Sequence, residues 1–354
     1  SSRLSILLLA VLVTGCASHK DFSRLTASET KHAETRFEFT RPEMGMAFHL
    51  TFYASDPITA SNAATAAFAR VRELNATFSD YEDDSELTLL SRTSGSGRAV
   101  KVSDDLWRVL ETGQAFARRT GGAFDITVGP VVQLWRRARR QHELPDPPHL
   151  TAALRAVGYR KLELDARHRT AKLLVPGMRL DLGSIAKGAA ADQALKVLRA
   201  HGFTRALVTG GGDMAAGDPP PGARGWRIEI APLDVTNAPP RQFVLLANAG
   251  LATSGDLFQH VEIEGQRYSH IVDPHTGIGL TDHSLVTAIA PDCLTANGLS
   301  TSASVLGPEA GLKLVEATRH AAAQIMRQPA DQIEAFESKR FRKFVDQGVS
   351  SNAP

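Results

Sequence analysis

The run Leu180-Asp181-Leu182-Gly183-Ser184-Ile185-Ala186-Lys187-Gly188 leads straight into a helix-like stretch over residues 189–198, and it constrains this chain more than any other segment. A carboxylate, a hydroxyl and an amine fall within seven residues at a loop-to-helix junction. Unpaired backbone N–H groups and the positive end of a helix dipole suit such a junction to an anion such as a phosphate. Far downstream, Asn297 and Thr301 stand four residues apart on a second helix-like stretch, and so on one face. Together the two pieces point to phosphate chemistry assisted by a metal.

The N-terminus carries an address. Arg3 precedes an almost unbroken apolar run over residues 4–13, followed by Thr14-Gly15-Cys16. About ten apolar residues fall well short of the roughly 20 that a helix needs to span a bilayer. A basic start, a short apolar stretch and small residues predict a secretory signal peptide over residues 1–15. Its ending resembles a bacterial lipobox, which implies that Cys16 is lipidated and becomes the first mature residue. Ala17 resembles the residue found after that cysteine in lipoproteins sorted to the outer membrane. The expected location is the periplasm, on a lipid anchor, with residues 16–40 as a polar tether.

Lipidation of Cys16 leaves Cys293 as the only other cysteine, so no intramolecular disulfide and no thiolate zinc site is expected. There is also no His-Glu-x-x-His helix to replace one. Hydrophobic residues make up 43% and charged residues 22%, which is the balance of an ordinary globular enzyme. The net charge is only +2, and the one dense basic cluster is Arg136-Arg137-Ala138-Arg139-Arg140. It lacks interleaved aromatics for base stacking, so it reads as a solvated helix face and nucleic acid is not an expected partner.

Residues 48–53 alternate as a strand. Asp56-Pro57 opens a helix to about residue 77, and Ser103-Asp104-Asp105 caps another that Gly121-Gly122 ends near residue 120. Residues 145–148 read as a proline-rich loop before a short helix over 150–157. Strands are expected over 206–208, 226–230, 243–247 and 285–290, and a helix over 307–318. Helices and strands interleave without a regular βαβ rhythm, which predicts an α+β fold. The body is expected over residues 41–326, and residues 327–354 form a polar C-terminal tail.

Two motifs invite other readings. Gly210-Gly211-Gly212-Asp213-Met214-Ala215 superficially matches a dinucleotide fingerprint, but Gly217-Asp218-Pro219-Pro220-Pro221 forbids the helix that must follow. The glycines fit a turn or a close backbone approach instead. Ser184-Ile185-Ala186-Lys187 spells the S-x-x-K of penicillin-recognising enzymes, with His275-Thr276-Gly277 for their K-T-G, but the intervening S-x-N element is absent.

Five segments in order resemble the FAD:protein FMN transferase (ApbE) family. They are Met44-Gly45; Ser79-Asp80-Tyr81 with Asp84-Ser85-Glu86-Leu87; the stretch from Gly121-Gly122-Ala123-Phe124-Asp125 to Gly129-Pro130; the run from Asp181 to Gly188; and Tyr268-Ser269-His270-Ile271-Val272-Asp273-Pro274-His275-Thr276-Gly277. Thr253-Ser254-Gly255 and Asn297-Gly298-Leu299-Ser300-Thr301 also fall in the expected order. The resemblance implies a single α+β domain of mixed sheets flanked by helices, and an enzyme that moves FMN from FAD to a threonine or serine hydroxyl of an exported flavoprotein, releasing AMP. The acceptor motif it implies is similar to (Ser/Thr)-Gly-Ala-(Ser/Thr).

By motif position, the resemblance makes Met44, Tyr81, Ala123, Phe124, Asp125, Asp181, Lys187 and Ile271 contacts to FAD. Tyr81 and Phe124 are expected to pack on an aromatic ring, although each alone reads as ordinary core. Lys187 brings positive charge to the pyrophosphate. His270 is the implied general base, since imidazole titrates near neutrality and accepts a hydroxyl proton. Ser184, Asn297 and Thr301 are the implied ligands of Mg²⁺, and Ser184 alone reads as a helix N-cap.

Two positions depart from the family pattern. Asn297-Gly298 stands where the pattern has Asp-Ala, keeping an oxygen ligand but losing its charge. Mg²⁺ favours carboxylates, so affinity falls unless another acid such as Asp292 or Asp256 helps. His275 stands where the pattern has Arg. The principal reading is a lipid-anchored flavin transferase using FAD and Mg²⁺. Its rivals are a lipoprotein that binds FAD with little transfer, and a Mg²⁺-dependent FAD pyrophosphatase.

Overall fold

The computed structural model describes residues 34–233, 242–257, 259–329 and 332–348. The expected signal peptide, Cys16, Ala17 and the first part of the expected tether lie outside the described residues.

The chain enters through a hairpin of β1 (Thr35–Glu43) and β2 (Met46–Ala54), closed by Met44 and Gly45 in left-handed conformations. Phe48, Leu50 and Phe52 alternate inward along β2. Helix α1 (Pro57–Phe78) starts where Asp56 accepts the Thr59 N–H at 2.7 Å, with proline in the tolerated first turn. Its inward stripe is Ala60, Ala63, Ala64, Ala67, Phe68, Val71 and Leu74, which is helical spacing. Then come α2 (Glu86–Ser91), β3 (Val100–Lys101) and α3 (Asp104–Arg119), the last capped by Ser103. Helices α4 (Gly129–Gln141) and α5 (Pro147–Leu154) follow, so Pro145 lies in a loop as expected while Pro147 and Pro148 occupy the first turn of α5.

Strands β4 (Leu162–Asp165) and β5 (Thr170–Leu173) join β3 in a small sheet ahead of α6 (Ala186–Ala200). The strands that follow are β6 (Ala206–Gly210), β7 (Asp213–Ala216), β8 (Trp226–Glu229), β9 (Phe243–Leu246) and β10 (Ala249–Gly255). The chain closes with β11 (His260–Ile263), β12 (Gln266–Ser269), β13 (Ser284–Ala290), α7 (Cys293–Glu316), β14 (Ala322–Arg327) and β15 (Glu334–Glu337). Gly307 and Pro308 break α7 inside its length.

Eight strands form one sheet in the order β1-β2-β6-β7-β10-β13-β14-β15, every pair antiparallel. Both of its faces are covered. Ala288 and Ala290 of β13 turn toward the cluster containing α1, α6 and α7. Leu285 and Ile289 turn toward the β8–β9 ribbon and Phe341. This is the α+β architecture expected.

Two boundaries are corrected. Strand β1 begins at Thr35, inside the segment read as tether: an edge strand with one solvated face is polar enough to pass for one. The segment read as a polar tail contains β15, and it buries Phe341 completely.

Candidate active site at the meeting of two helices

Helix α6 opens at Ala186 with Ile185 at its cap and no side-chain cap bond, so Ser184 does not act as the expected N-cap. Helix α7 is capped twice: by Asp292, which accepts the Thr295 N–H at 2.7 Å, and by Asp192 of α6. The two Asp192 oxygens accept the N–H groups of Cys293 and Leu294 at 2.9 Å each. Burial pushes Asp192 up to about 6. One turn on, Asn297 Oδ1 accepts the Gly188 N–H at 2.8 Å. The helices are so close there that a Cβ on Gly188 would stand 2.5 Å from the Cys293 carbonyl oxygen. Gly298 is likewise required, since the Phe116 ring fills the place of its Cβ, at 2.2 Å.

Asp213, the first residue of β7, completes this junction. Its Oδ1 accepts from Asn297 Nδ2 at 2.6 Å. Its Oδ2 lies 3.3 Å from Lys187 Nζ, at ion-pair distance but without hydrogen-bond geometry. Asp213 is 1% exposed, and burial pushes its carboxyl up against the opposing pull of Lys187 and Asn297. Ser254 of β10 meets Ser300 Oγ at 2.8 Å and Thr301 Oγ1 at 3.3 Å. Sequence reasoning missed Asp213. Of the turn or close backbone approach expected for Gly210-Gly211-Gly212, the turn is present as the β6–β7 hairpin, and the acid that follows it went unread. Met44 sits near that turn: its neighbour Met46 reaches within 3.1 Å of where a Gly211 Cβ would be.

Further along, Arg136 of α4 donates to Asp80 Oδ2 at 2.6 Å and Asp181 Oδ2 at 3.1 Å, and its guanidinium carbon lies 4.1 Å from the centre of the Tyr81 ring. The expectation of a solvated basic face fails here, because the Arg136 side chain is only 16% exposed. Tyr81 is 76% exposed, with Arg136 over one face of its ring. Burial pushes the Asp181 carboxyl up and the Asp80 charge adds to this, while Arg136 opposes both. Asp181 Oδ1 also accepts the Gly183 N–H at 2.7 Å, which shapes the loop carrying Ser184 and Lys187.

The loop holding Ala123, Phe124 and Asp125 runs beside that one, joined by the Asp181 N–H to the Ile126 carbonyl at 2.9 Å. Asp125 Oδ1 accepts both the N–H and the hydroxyl of Thr127, and burial pushes its carboxyl up. Ala123 is buried. The Phe124 ring belongs to the core, 5.5 Å from the Phe116 ring, and is not free to stack on a ligand as expected. His275 joins Gly121 O and Asp273 Oδ1, each at 3.1 Å, and so still ties two loops where the pattern has Arg.

His270 follows β12 and is half-buried. Its Nδ1 lies 3.0 Å from the Gln259 carbonyl, an acceptor only, so Nδ1 carries the proton and Nε2 keeps its lone pair. Burial pulls His270 down to about 4, and the positive charges of Arg139 and Lys187 add to the effect. The ring is therefore neutral at pH 7. Ile271 is buried beside it and donates its N–H to Ser269 Oγ at 3.0 Å. Trp135 donates to the Gly277 carbonyl at 2.7 Å and packs on Tyr268 at 5.3 Å, so α4 braces the hairpin bearing His270 as well as the Arg136 network.

Among the described residues no group of three or more His, Cys, Asp or Glu side chains is arranged to hold a metal ion. Oxygens of the kind a hard divalent cation takes lie along this junction: the Ser254 and Thr301 hydroxyls, 3.3 Å apart, and on the neighbouring strand, where Asp213 faces Ala252 two residues before Ser254, the Asp213 Oδ2 that has only Lys187 near it. The other acids expected to help are committed elsewhere. Asp292 caps α7, while Asp256 pairs with Arg267 and with His283 at 2.7 Å.

The model of the ApbE family matches residues 44–326. The chain belongs to the ApbE family. It is 33% identical over 292 residues to an FAD:protein FMN transferase of Haemophilus influenzae, covering 80% of this chain and 84% of that one. To the FAD:protein FMN transferase of Treponema pallidum it is 33% identical over 295 residues, covering 78% and 81%. Among solved structures of the family, the flavin transferase ApbE of Vibrio cholerae superposes with a TM-score of 0.79 at 28% identity, covering 88% of this chain and 99% of that one. The apo flavinyl transferase ApbE of Pseudomonas stutzeri does so at 0.78 and 29%, covering 90% and 99%.

Proposed function

We propose that this chain is an FAD:protein FMN transferase that moves FMN from FAD to a threonine or serine hydroxyl of an exported flavoprotein. The observation that carries the reading is His270, held neutral with its Nε2 lone pair free, in the electrostatic reach of Lys187 and Arg139. That is a proton acceptor within the field of cations suited to a pyrophosphate, in a family whose curated relatives carry this activity in their names.

In the reaction, the acceptor hydroxyl oxygen forms a bond to the FMN-side phosphorus of FAD. The bond from that phosphorus to the bridging oxygen breaks, AMP leaves, and the hydroxyl proton passes to His270 Nε2. Lys187 neutralises pyrophosphate oxygens. Tyr81 offers its open face to an aromatic ring of FAD, backed by Arg136, and Asp125 and Asp181 shape the adjoining loops. Phe124 contributes through the core that holds its loop. Thr301 and Ser184, the positions implied by the family pattern, would hold a divalent cation such as Mg²⁺, which would neutralise charge on the phosphoryl oxygens. The lipid anchor at Cys16, a periplasmic location and an acceptor bearing (Ser/Thr)-Gly-Ala-(Ser/Thr) are part of the same proposal and rest on sequence.

The test is incubation with FAD, Mg²⁺ and a flavoprotein domain carrying that motif, reading in-gel flavin fluorescence and AMP together. Covalent flavin with equimolar AMP is expected. AMP with free FMN would mean a pyrophosphatase, and bound FAD without either product a carrier.

A further inference from the structure

We infer that Asp213 is the carboxylate ligand of the divalent-cation site, supplying from β7 the negative charge that the neutral side chain at position 297 lacks. The inference rests on the reading that a divalent cation serves this site.

The orientation of Asn297 is fixed from outside. Gly188 offers a backbone N–H, which only the amide oxygen accepts, at 2.8 Å. The amide nitrogen must then face Asp213, and it donates there at 2.6 Å. Asn297 thus spends both ends of its side chain on protein partners and has no charge to offer a cation. Asp213 has the opposite character. It is buried, it is charged when ionised, and only one of its two oxygens accepts a hydrogen bond. The second oxygen faces Lys187 at 3.3 Å, off the line of a hydrogen bond.

Buried acceptors are almost always satisfied, and an exception in a native fold calls for a ligand or a function. Register brings neutral oxygens alongside: Asp213 faces Ala252 of β10, two residues before Ser254, and bonds Asn297, one helical turn before Thr301, while the Ser254 hydroxyl bridges Ser300 and Thr301. All are hard oxygens, the class that Mg²⁺ and Mn²⁺ prefer. Among the described residues no other carboxylate contacts either Asn297 or Lys187. A merely structural Asp213 would serve only as counter-ion to Lys187, and the two roles make different predictions.

An immediate corollary concerns position 297. A carboxylate placed there would face the Asp213 carboxylate across the present 2.6 Å contact. The pair should therefore behave as one site for one negative charge, which either residue can carry but not both without strain.

The experiment is Mn²⁺ binding by the purified full chain, read by electron paramagnetic resonance with and without FAD. Wild type, Asp213→Asn and the swapped double variant Asp213→Asn with Asn297→Asp are compared. Asp213→Asn should weaken Mn²⁺ binding by at least about tenfold, the scale on which ligand charge count tunes divalent-cation affinity. The swap should restore binding to within a few-fold of wild type, which also shows that the single variant's loss is not misfolding. FAD affinity without metal, read by flavin fluorescence, should stay near wild type in both variants. Unchanged Mn²⁺ binding in Asp213→Asn overturns the inference, as does a swap that binds no better than the single variant, or a wild type that binds no Mn²⁺ in either condition. Should the wild type show this Mn²⁺ pattern yet attach no flavin to an acceptor, the transferase reading fails and the metal assignment stands.

Discussion

Arg136 reaches Asp181 at 3.1 Å, and this contact ties helix α4 to the loop that delivers Ser184 and Lys187. The same guanidinium holds Asp80 and backs the Tyr81 ring, so one side chain joins two of the segments that make up the family's motifs.

Removing that cation leaves two buried carboxylates facing each other. Arg136→Met is expected to cost about 3–5 kcal/mol of stability, the usual loss when one partner of a buried ion pair is deleted. Arg136→Lys should recover only part of this, since a single ammonium cannot serve both acids in the forked geometry. Urea unfolding of the three proteins checks it; a loss below 1 kcal/mol for the methionine variant would mean that solvent already screens the pair.

His270→Ala should lower flavin transfer by roughly 10²–10⁴ while leaving FAD affinity nearly unchanged. Because burial holds the ring down to about 4, His270 imposes no fall in rate between neutrality and mildly acidic pH, and the decline belongs near or below pH 5. The same depression acts on stability. The unfolded ring takes up a proton near its ordinary 6.5 that the folded ring refuses, so stability contributed here is lost as pH falls from 6.5 toward 4. A transfer rate halved at pH 6.5 in wild type but not in a variant retaining residual activity would contradict the assignment.

Close approach of α6 and α7 predicts that Gly188→Ala is among the most damaging small changes in the protein. The added methyl would meet the Cys293 carbonyl and Asn297 Oδ1, both backed by packed helix. Overpacking of this kind costs about 1–3 kcal/mol, and it moves Asn297 off its Asp213 partner. Thermal melting together with Mn²⁺ binding checks both parts. Equal melting temperatures would show that the helices separate freely.

Asp192 gives a stability signature of opposite sign. Its folded value of about 6 lies above the ordinary 3.8, so the folded state keeps a proton that the unfolded chain releases. Stability from this group is full below pH 3.8 and declines as pH rises through 6, by roughly 3 kcal/mol in all. Asp192→Asn, which never ionises, should therefore gain on wild type as pH is raised from 4 to 7, although it caps α7 with one oxygen rather than two. Parallel stability curves for the two proteins would refute the charge argument.

What the sequence made legible was local. The caps at Asp56 and Ser103, the inward stripe of α1, the glycine turn before Asp213 and the loop ahead of α6 all depend on neighbours a few residues away. Asn297 and Asp213 are 84 residues apart, and Arg136 lies 56 and 45 residues from its two acids. Such pairings leave no periodic trace, so Arg136 passed for a solvated residue and Asp213 was given no role. Edge strands β1 and β15 failed for another reason: with one face in water, their composition matches that of a tether or a tail. Phe124 shows the reverse error, a motif position read as contact where the ring closes the core against Phe116.

The two-faced sheet has a consequence for how variation in this protein will read out. Asp213, Ser254 and both site-building helices hang on one side, while Trp226, Ile228, Val244 and Phe341 pad the other. Substitutions in the padding alter how many molecules are folded, yet each folded molecule keeps the same turnover and the same appetite for substrate. The rear side is thus where lineages can diverge without retuning the chemistry in front.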